Sequence, residues 1–222
     1  GVARSWTHTG ANVASWWDYR VRPRNAQASG AWSPWSTPVR VQPAPPTPTS
    51  ITVTRNSDTS HTVAWQASGT ISSFVIDRWD NVSGQWSQLA TPGESVRSFT
   101  DATTVADRKY AWRVRAVNST GSSGNKQSTF VYTTPAAPAA PTATKTSAGI
   151  VVTWTDNSRS ETTFDVQRRE NGGTWTVISN VATGDEATTG ASKSWTLTSP
   201  DPAVTHEFQV RARNTQPGAW SA

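Results

Sequence analysis

The sequence predicts an all-β chain built from tandem antiparallel β-sandwiches, and three observations lead to this fold class. First, three stretches alternate apolar with polar residues, which is the pattern of a strand that buries one face. These stretches are residues 17–25, 110–118 and 206–214. Second, each ends on an asparagine, and these asparagines are 93 and then 96 residues apart, which indicates one small β-domain per repeat. Third, no stretch of useful length has the period of a helix.

Two proline-rich connectors divide the chain into three units. They run over residues 43–48 and 135–141, where proline fixes φ and removes the amide donor that a strand needs. We therefore expect short, stiff linkers at both places. The resulting units are residues 1–42, 43–134 and 135–222, called below the first segment, the second repeat and the third repeat.

Short runs rich in β-branched and aromatic residues define the strands of the two longer units. In the second repeat the predicted strands are 51–55, 61–65, 74–79, 86–90, 96–100, 110–117 and 128–133. In the third repeat they are 150–154, 164–168, 175–178, 193–197 and 206–213. Seven short strands in about 90 residues predict a sandwich of two antiparallel sheets.

Aromatic residues recur at matching places in the two repeats. A tryptophan ends the second strand (Trp65, Trp154), and a phenylalanine opens the third (Phe74, Phe164). Together with the Tyr-x-aromatic-Arg-Val-Arg-Ala-x-Asn pattern from Tyr110, these residues resemble fibronectin type III domains, and the resemblance covers essentially the whole chain. It implies Greek-key sandwiches, with the C-terminal part of a domain in the first segment and most of the last strand lacking in the third repeat. It says little about function, because this fold serves adhesion, spacing and receptor roles.

The predicted core anchors lie on the buried parity of these strands. They are Trp65, Phe74, Ile76, Tyr110 and Val114 in the second repeat, and Trp154, Phe164, Val166 and Val210 in the third. His206 stands at the position of Tyr110, where the fold usually carries a tyrosine whose polar end bonds to nearby backbone. We therefore expect a structural role for His206.

Arginine and tryptophan form a second pattern in the first segment. Arg20, Arg22 and Arg24 share one strand parity, so they stand on the outer face of a sheet. Trp32 and Trp35 follow on the neighbouring stretch, where their rings would stack between guanidinium planes in cation–π contacts. We call these five residues the Arg/Trp zipper. It resembles the Trp-Ser-x-Trp-Ser motif of class I cytokine receptors, although the complete lack of cysteine disfavours a receptor of that family.

The third repeat repeats part of this pattern, and the second repeat does not. Arg211, Arg213 and Trp220 suggest the same device, whereas Arg113 and Arg115 are followed by serines instead of tryptophan. We interpret the Arg/Trp zipper as a structural element that pins the last strand, because stacked rings leave few faces for a ligand. The alternative is a platform that binds a ligand or a glycan.

The inventory of reactive side chains is poor. The chain has no cysteine, and its three histidines fall in three different units. The adjacent acids Asp185 and Glu186 are typical of a solvated loop rather than of an acid/base pair. Glycine-rich phosphate loops and metal-ligand spacings are absent from the sequence. We therefore expect no enzymatic activity, no cofactor and no metal.

The net charge of +5 is concentrated in the first segment, which has five arginines and one aspartate. Because this excess coincides with the Arg/Trp zipper and forms no continuous groove, we expect no nucleic-acid binding. No run of about 18 apolar residues is present, so we expect no membrane insertion.

The composition favours a structural and adhesive role. A cysteine-free chain with more Arg than Lys, rich in Thr, Ser and Ala and joined by Pro/Ala linkers, resembles the fibronectin-like repeats of bacteriophage tail-tip, fibre or minor tail proteins. That resemblance implies a spacer in the virion that takes part in host attachment. The implied partners are other tail subunits, in a homotrimer or a ring, and a host-surface glycan or protein.

Two alternatives stay open. One is a fibronectin type III linker array in a secreted bacterial carbohydrate-active enzyme, where Trp79, Trp86 and Trp175 would stack on sugars. The other is a eukaryotic adhesion or receptor ectodomain, for which Asn81 and Asn118 begin formal glycosylation sequons.

Overall fold

The computed structural model describes residues 4–10, 15–25, 30–183 and 187–222. Every regular element in these ranges is a β-strand, and every pair of strands is antiparallel, which confirms the predicted fold class. Asp185 and Glu186 lie outside the described residues. No helix in the described ranges is long and apolar enough to cross a membrane.

The first segment contains one short pair of strands, β1 (Trp17–Tyr19) and β2 (Val39–Val41). The prediction of a strand through residue 25 is wrong beyond Tyr19. Pro23 has no N–H, and the backbone of this stretch bonds to Ser33 and Ser36 in place of a regular ladder. None of the described residues of this segment is buried.

Two sheets form the second repeat. Its strands are β3 (Ser50–Ser57), β4 (Ser60–Gln66), β5 (Ser73–Asp80), β6 (Trp86–Ala90), β7 (Ser98–Asp101), β8 (Lys109–Asn118), β9 (Gly121–Ser122), β10 (Lys126–Gln127) and β11 (Val131–Tyr132). One sheet has the order β3-β4-β7, and the other has the order β10-β8-β5-β6, with β9 and β11 also paired to β8. Six predicted strands are present, and the seventh is divided into short pieces along β8.

The third repeat has two three-stranded sheets. Its strands are β12 (Thr142–Thr146), β13 (Gly149–Thr155), β14 (Thr163–Glu170), β15 (Thr176–Ala182), β16 (Ser192–Leu197) and β17 (His206–Arg213). The sheet orders are β12-β13-β16 and β15-β14-β17. The sequence did not indicate β12, whose side chains are all exposed, and β15 runs four residues beyond its predicted end.

The core of each repeat lies between its two sheets. The buried cluster of the second repeat contains Trp65, Phe74, Ile76, Tyr110 and Val114, and that of the third contains Trp154, Phe164, Val166 and Val210. The tryptophan meets the phenylalanine edge to face in both repeats, with ring centres 5.3 and 5.4 Å apart. The two repeats therefore pack their core aromatic rings in the same way. Full burial of each such side chain stabilises the fold by roughly 1.5–3 kcal/mol.

Candidate functional site

The five residues of the Arg/Trp zipper form an alternating stack of guanidinium and indole groups. Its order is Arg20, Trp35, Arg22, Trp32 and Arg24. The guanidinium carbon of Arg22 lies 4.3 Å from the ring centre of Trp35 and 4.4 Å from that of Trp32. Arg20 and Arg24 close the two ends at 5.4 and 5.3 Å. Each contact stabilises by roughly 0.5–2 kcal/mol, depending on how far it is desolvated.

Two serines place both tryptophans on the arginine face. The Ser36 N–H donates to the Val21 carbonyl (2.9 Å), and the Ser36 hydroxyl accepts from the Val21 N–H (3.0 Å). The Ser33 N–H donates to the Pro23 carbonyl (3.2 Å). Three positions along one stretch, from Ser33 to Ser36, thus correspond to two positions along the opposite stretch, from Pro23 to Val21. Trp35 can therefore share a face with a tryptophan three positions earlier, which strict alternation would forbid.

The third repeat reproduces this arrangement at Ser221. Its N–H donates to the Val210 carbonyl (2.8 Å), and its hydroxyl accepts from the Val210 N–H (3.1 Å). The guanidinium carbon of Arg211 lies 4.4 Å from the ring centre of Trp220. Val210 matches Val21 in the repeat, so the serine performs the same task in both units.

The stack of the third repeat is shorter than that of the first segment. Pro217 is bridged to Arg213 where Trp32 is bridged to Arg24, so the second indole is replaced by a proline ring. The guanidinium of Arg213 lies 3.8 Å from the carboxylate of Asp165. The cation–π contact of this stack involves Arg211 alone among the described residues.

Tryptophans on other strands also meet cationic or aromatic side chains. Arg113 lies 4.4 Å from the ring centre of Trp86, a contact that the sequence pattern of the second repeat did not indicate. Arg169 lies 4.8 Å from the ring centre of Trp175, and the ring of Trp79 is 5.5 Å from that of Phe130. Each of the three tryptophans considered as a sugar platform therefore already contacts another side chain.

Carboxylates neutralise the matching arginines in the two longer repeats. Asp77 accepts hydrogen bonds from Arg113 (2.8 Å) and Arg115 (2.9 Å). Asp165 accepts one from Arg211 (2.9 Å). Both aspartates are buried and belong to the strand next to the arginine strand, so each forms a charge-assisted pair within its own sheet.

The zipper arginines form no such ion pair within the ranges that the structure describes. Asp18 is held by Arg40 through bonds of 2.7 and 2.8 Å, and this pairing lowers the pKa of the Asp18 carboxyl. None of the ion pairs among the described residues includes Arg20, Arg22 or Arg24. The buried Nε of Arg22 also has no hydrogen-bond partner among the residues described. The stack thus carries three positive charges that lie against aromatic faces, and the Nε of Arg24 also donates a hydrogen bond to the Gly30 carbonyl (3.2 Å).

A second constellation lies at the linkers, where the asparagines that mark the repeat bind backbone. The side-chain amide of Asn118 donates to the carbonyls of Pro43 (2.7 Å) and Thr70 (3.1 Å). Pro43 is the first residue of the linker, and Thr70 lies in the loop between β4 and β5. One side chain therefore ties the incoming chain to a loop of the second repeat.

Asn214 makes the same pair of contacts one repeat later. Its amide donates to the carbonyls of Thr133 (3.1 Å) and Ser160 (2.7 Å). Thr133 belongs to the second repeat, and Ser160 lies in the loop between β13 and β14. Because all three residues are buried, this contact joins the two repeats out of reach of water.

Asp107 joins the same two repeats from the other side. Its Oδ1 accepts hydrogen bonds from the Ser158 hydroxyl (2.7 Å), the Arg159 N–H (2.8 Å) and the Ser160 hydroxyl (3.3 Å). The N–H of Ala136, in the linker, lies 3.3 Å from the same oxygen. Asp107 reaches this position with φ at 59°, a strained conformation that these bonds maintain.

A buried carboxyl lies beside this junction. Glu161 is fully buried and lies beside Ser158 and Asp156. Burial, together with the nearby Asp156 carboxylate, raises the pKa of Glu161 to about 8. The group is therefore mostly protonated at neutral pH, so the loop does not hold two neighbouring carboxylate charges.

The histidines lie apart, each in its own unit. His61 is buried with its Nδ1 3.0 Å from the Thr104 hydroxyl, and burial lowers its pKa. His206 lies with its Nε2 3.3 Å from the Asp201 carbonyl oxygen, and His8 belongs to the first segment. In the part of the chain that the structure describes, no three His, Cys, Asp or Glu side chains could hold a metal ion together.

The sequence reasoning missed the junction residues Asp107, Ser158 and Glu161. Isolated acids and serines in loops give no periodic signal, and only the fold brings them together. The recurring Asn118 and Asn214 were the one available pointer, because they keep their place in every repeat.

Residues 45–132 match the fibronectin type III domain family. The FN1–FN3 domains of chicken CNTN1 are 20% identical, with 81% of this chain and 65% of that one covered and a TM-score of 0.39. A two-domain fibronectin type III segment from chicken tenascin is 17% identical, with 78% and 95% covered and a TM-score of 0.43. The all-β chain therefore contains a fibronectin type III domain, at residues 45–132.

Proposed function

We propose that this chain is a non-catalytic structural spacer made of fibronectin type III units that hold a fixed orientation. In this proposal residues 1–42 are the C-terminal part of one unit, residues 43–134 a complete unit, and residues 135–222 a unit without most of its last strand. The buried contact of Asp107 and Asn214 with the loop after β13 is the observation that carries it. A flexible linker would leave these polar groups in water, whereas a spacer needs them paired.

A further contact strengthens the same junction. The side-chain amide of Asn81 donates to the Arg159 carbonyl, and its oxygen accepts the Lys109 N–H (3.0 Å). The sequon asparagines Asn81 and Asn118 thus both donate hydrogen bonds from their side-chain amides within the protein. Asn118 donates two, and a glycan would replace one of the two amide hydrogens that make them. This disfavours a glycosylated ectodomain.

We propose a bacteriophage tail-tip, fibre or minor tail protein as the parent of this spacer. The support is the composition: a chain without cysteine folds without oxidation, and the Pro/Ala linkers are stiff. In a virion the partners would be other tail subunits, in a trimer or ring, with a host-surface glycan or protein beyond them. The alternative parent is a secreted carbohydrate-active enzyme. There an equally stiff linker array would connect the domains of the enzyme instead of presenting a host-binding end.

Distance measurements test the rigid junction. The chain has no cysteine, so nitroxide labels on Ser87→Cys and Thr144→Cys, both exposed, report one distance between the second and third repeats. We expect a narrow distance distribution that broadens when Asp107→Ala and Asn214→Ala are introduced together. A distribution that is already broad in the otherwise unmodified chain refutes the spacer.

Electron microscopy tests the parent. Gold-labelled antibody against this chain should decorate the tails of phage particles from the source culture. Antibody binding only to a soluble secreted enzyme would instead favour the alternative parent. It would not change the result of the distance measurement on the junction.

A further inference from the structure

We propose that the outer face of the second repeat binds a linear chain of neutral pyranose sugars, along a row of aromatic rings that crosses the sheet β10-β8-β5-β6. We call this row, made of Trp86, Trp79, Ala111 and Phe130, the aromatic row. The proposal gives the second repeat a binding face of its own. It does not depend on the spacer role or on the first segment.

The aromatic row crosses four neighbouring stretches of one sheet. Trp86 stands opposite Trp79, and Trp79 stands opposite Ala111. The ring of Phe130, which directly precedes β11, lies 5.5 Å from that of Trp79. Trp79 has the opposite parity to the buried Ile76, so the row faces outwards. Because neighbouring strands lie about 4.8 Å apart, the row is roughly 14 Å long.

The fold does not require apolar residues at this level, because the other two units place an ion pair there. In the third repeat Arg169 pairs with Glu207 (2.5 Å), and in the first segment Asp18 pairs with Arg40 (2.7 Å). By the repeat spacing, Ala111 matches both Asp18 and Glu207. An exposed apolar row in place of exposed ion pairs is typical of an interaction surface.

The rings of the aromatic row are accessible. Phe130 is 48% exposed, and Trp79 and Trp86 are partly exposed. The guanidinium carbon of Arg113 lies 4.4 Å from the ring centre of Trp86, and the Nζ of Lys109 lies 4.2 Å from that of Phe130. The rings keep their exposure with both of these contacts in place, so a ligand can still reach them.

A row of polar side chains runs beside the aromatic row. Gln88 stands opposite Asp77, Asp77 opposite Arg113, and Arg113 opposite Gln127. Both glutamines are exposed, and each amide offers two donors and an acceptor. A pyranose ring carries C–H groups on its faces and hydroxyls at its rim. It can therefore lie on the aromatic rings while its hydroxyls bond to the polar row.

The tilt of the rings favours a chain over a flat ligand. The ring planes of Trp79 and Phe130 are inclined by 54° to each other. One planar molecule cannot lie flat on both, whereas successive sugars of a chain can turn about their glycosidic bonds. The row therefore suits a soluble oligosaccharide better than a nucleobase or the face of a crystalline polysaccharide.

The charge of the polar row disfavours a polyanion. Asp77 is buried in the middle of this row and accepts hydrogen bonds from Arg113 and Arg115. A phosphate or sulfate on these arginines would lie beside the carboxylate that they already bind, and the like charges would repel each other. A neutral sugar meets no such repulsion.

Titration with short sugar chains tests the proposal. Cellohexaose, chitohexaose and maltohexaose are added separately to the full chain, and binding is followed by isothermal titration calorimetry and by NMR of the indole N–H groups. We expect at least one of them to bind with a Kd below about 5 mM and to shift the Trp79 and Trp86 signals. Phe130→Ala should weaken this binding at least about fivefold, because one stacking ring is lost.

Two further variants separate binding from folding. Trp79→Arg together with Ala111→Glu copies the ion pair of the third repeat into the row, and it should abolish binding in a chain whose circular dichroism is unchanged. Phe130→Ala decides the matter if this double variant does not fold, since Phe130 lies outside the buried clusters of the described residues. Trp175→Ala, which removes the ring next to Arg169 in the third repeat, should leave the affinity unchanged.

Several results would overturn the proposal. They are no binding of any of the sugars at about 5 mM, undiminished binding by folded Phe130→Ala, and an equal loss in Trp175→Ala. Binding of heparin or oligo-dT that Phe130→Ala abolishes, without any sugar binding, would assign the row to a polyanion and overturn it too. The distance distribution between the repeats is measured separately, so failure of the spacer and failure of the sugar site are distinguishable.

Discussion

His206 and Tyr110 occupy the same position at the start of β17 and β8, and each ring reaches a backbone group five residues earlier. The Tyr110 hydroxyl accepts the Val105 N–H (3.0 Å). His206 Nε2 donates to the Asp201 carbonyl (3.3 Å), since a carbonyl oxygen can only accept. The two bonds run in opposite directions, but each fastens the loop that leads into its strand.

Tyr110→Phe should destabilise the second repeat by about 1–3 kcal/mol, because the Val105 N–H loses its partner in a partly buried place. Urea unfolding followed by far-UV circular dichroism measures this change. The third repeat serves as the internal control and should keep its transition. A loss below about 0.5 kcal/mol would contradict the role of this hydroxyl.

Trp65→Ala and Trp154→Ala should each cost about 3–5 kcal/mol, because each leaves a large cavity next to a phenylalanine. NMR spectra recorded during thermal unfolding should show that each variant destabilises its own repeat. An unchanged melting curve in either variant would refute its assignment as a core anchor.

Trp35→Ala should loosen the first segment more than Trp220→Ala loosens the end of the third repeat. Trp35 contacts both Arg20 and Arg22, whereas Trp220 contacts Arg211, and each contact adds roughly 0.5–2 kcal/mol. Hydrogen exchange at the Ser36 and Ser221 amides measures the two losses. Equal losses would contradict the additive stack, and lost host binding without lost order would favour the platform interpretation.

The stability of the third repeat should fall as the pH rises from about 4.5 to about 8. Glu161 keeps its proton up to a pKa of about 8 in the folded state, whereas the unfolded chain releases it near 4.5, so higher pH favours unfolding. Glu161→Gln should remove this slope, and the exposed Glu94→Gln should not. A slope that persists in Glu161→Gln would assign it to other groups.

The second repeat should respond to pH in the opposite direction. Burial, reinforced by the charge of Arg55, lowers the pKa of His61 below its usual 6.5, so the unfolded chain binds a proton more readily than the folded one. Stability should therefore fall as the pH drops below about 6.5. Thermal unfolding of His61→Gln, with His8→Gln as the control, measures this effect, and identical acid profiles for His61→Gln and the unmodified chain would disprove it.

The strands and the core were predictable from sequence because burial on one face leaves an alternating pattern. The pattern led to Trp65, Trp154 and their neighbours, all of which lie in the two buried clusters. It failed at β12, where the residues Thr142–Thr146 are all exposed and no alternation exists. It also failed beyond Tyr19, because Pro23 has no backbone N–H to donate to a neighbouring strand.

The zipper and the junction differ in how far the sequence could reveal them. Regular spacing of Arg20, Arg22 and Arg24 indicated a common face, but the three-against-two step at Ser33 and Ser36 is visible only in the hydrogen bonds. The junction gave almost no signal, because its contacts join residues more than 50 positions apart.

The clamp made by Asn118 and Asn214 has a consequence for any longer array. Asn118 fixes the linker that enters the second repeat, and Asn214 fixes the end of the second repeat to the third, so in the proposed spacer a side chain of the following unit would set the angle at each junction. In such a spacer, small angular errors would accumulate from unit to unit. A single substitution at this asparagine would then change the angle between neighbouring units while leaving each sandwich folded.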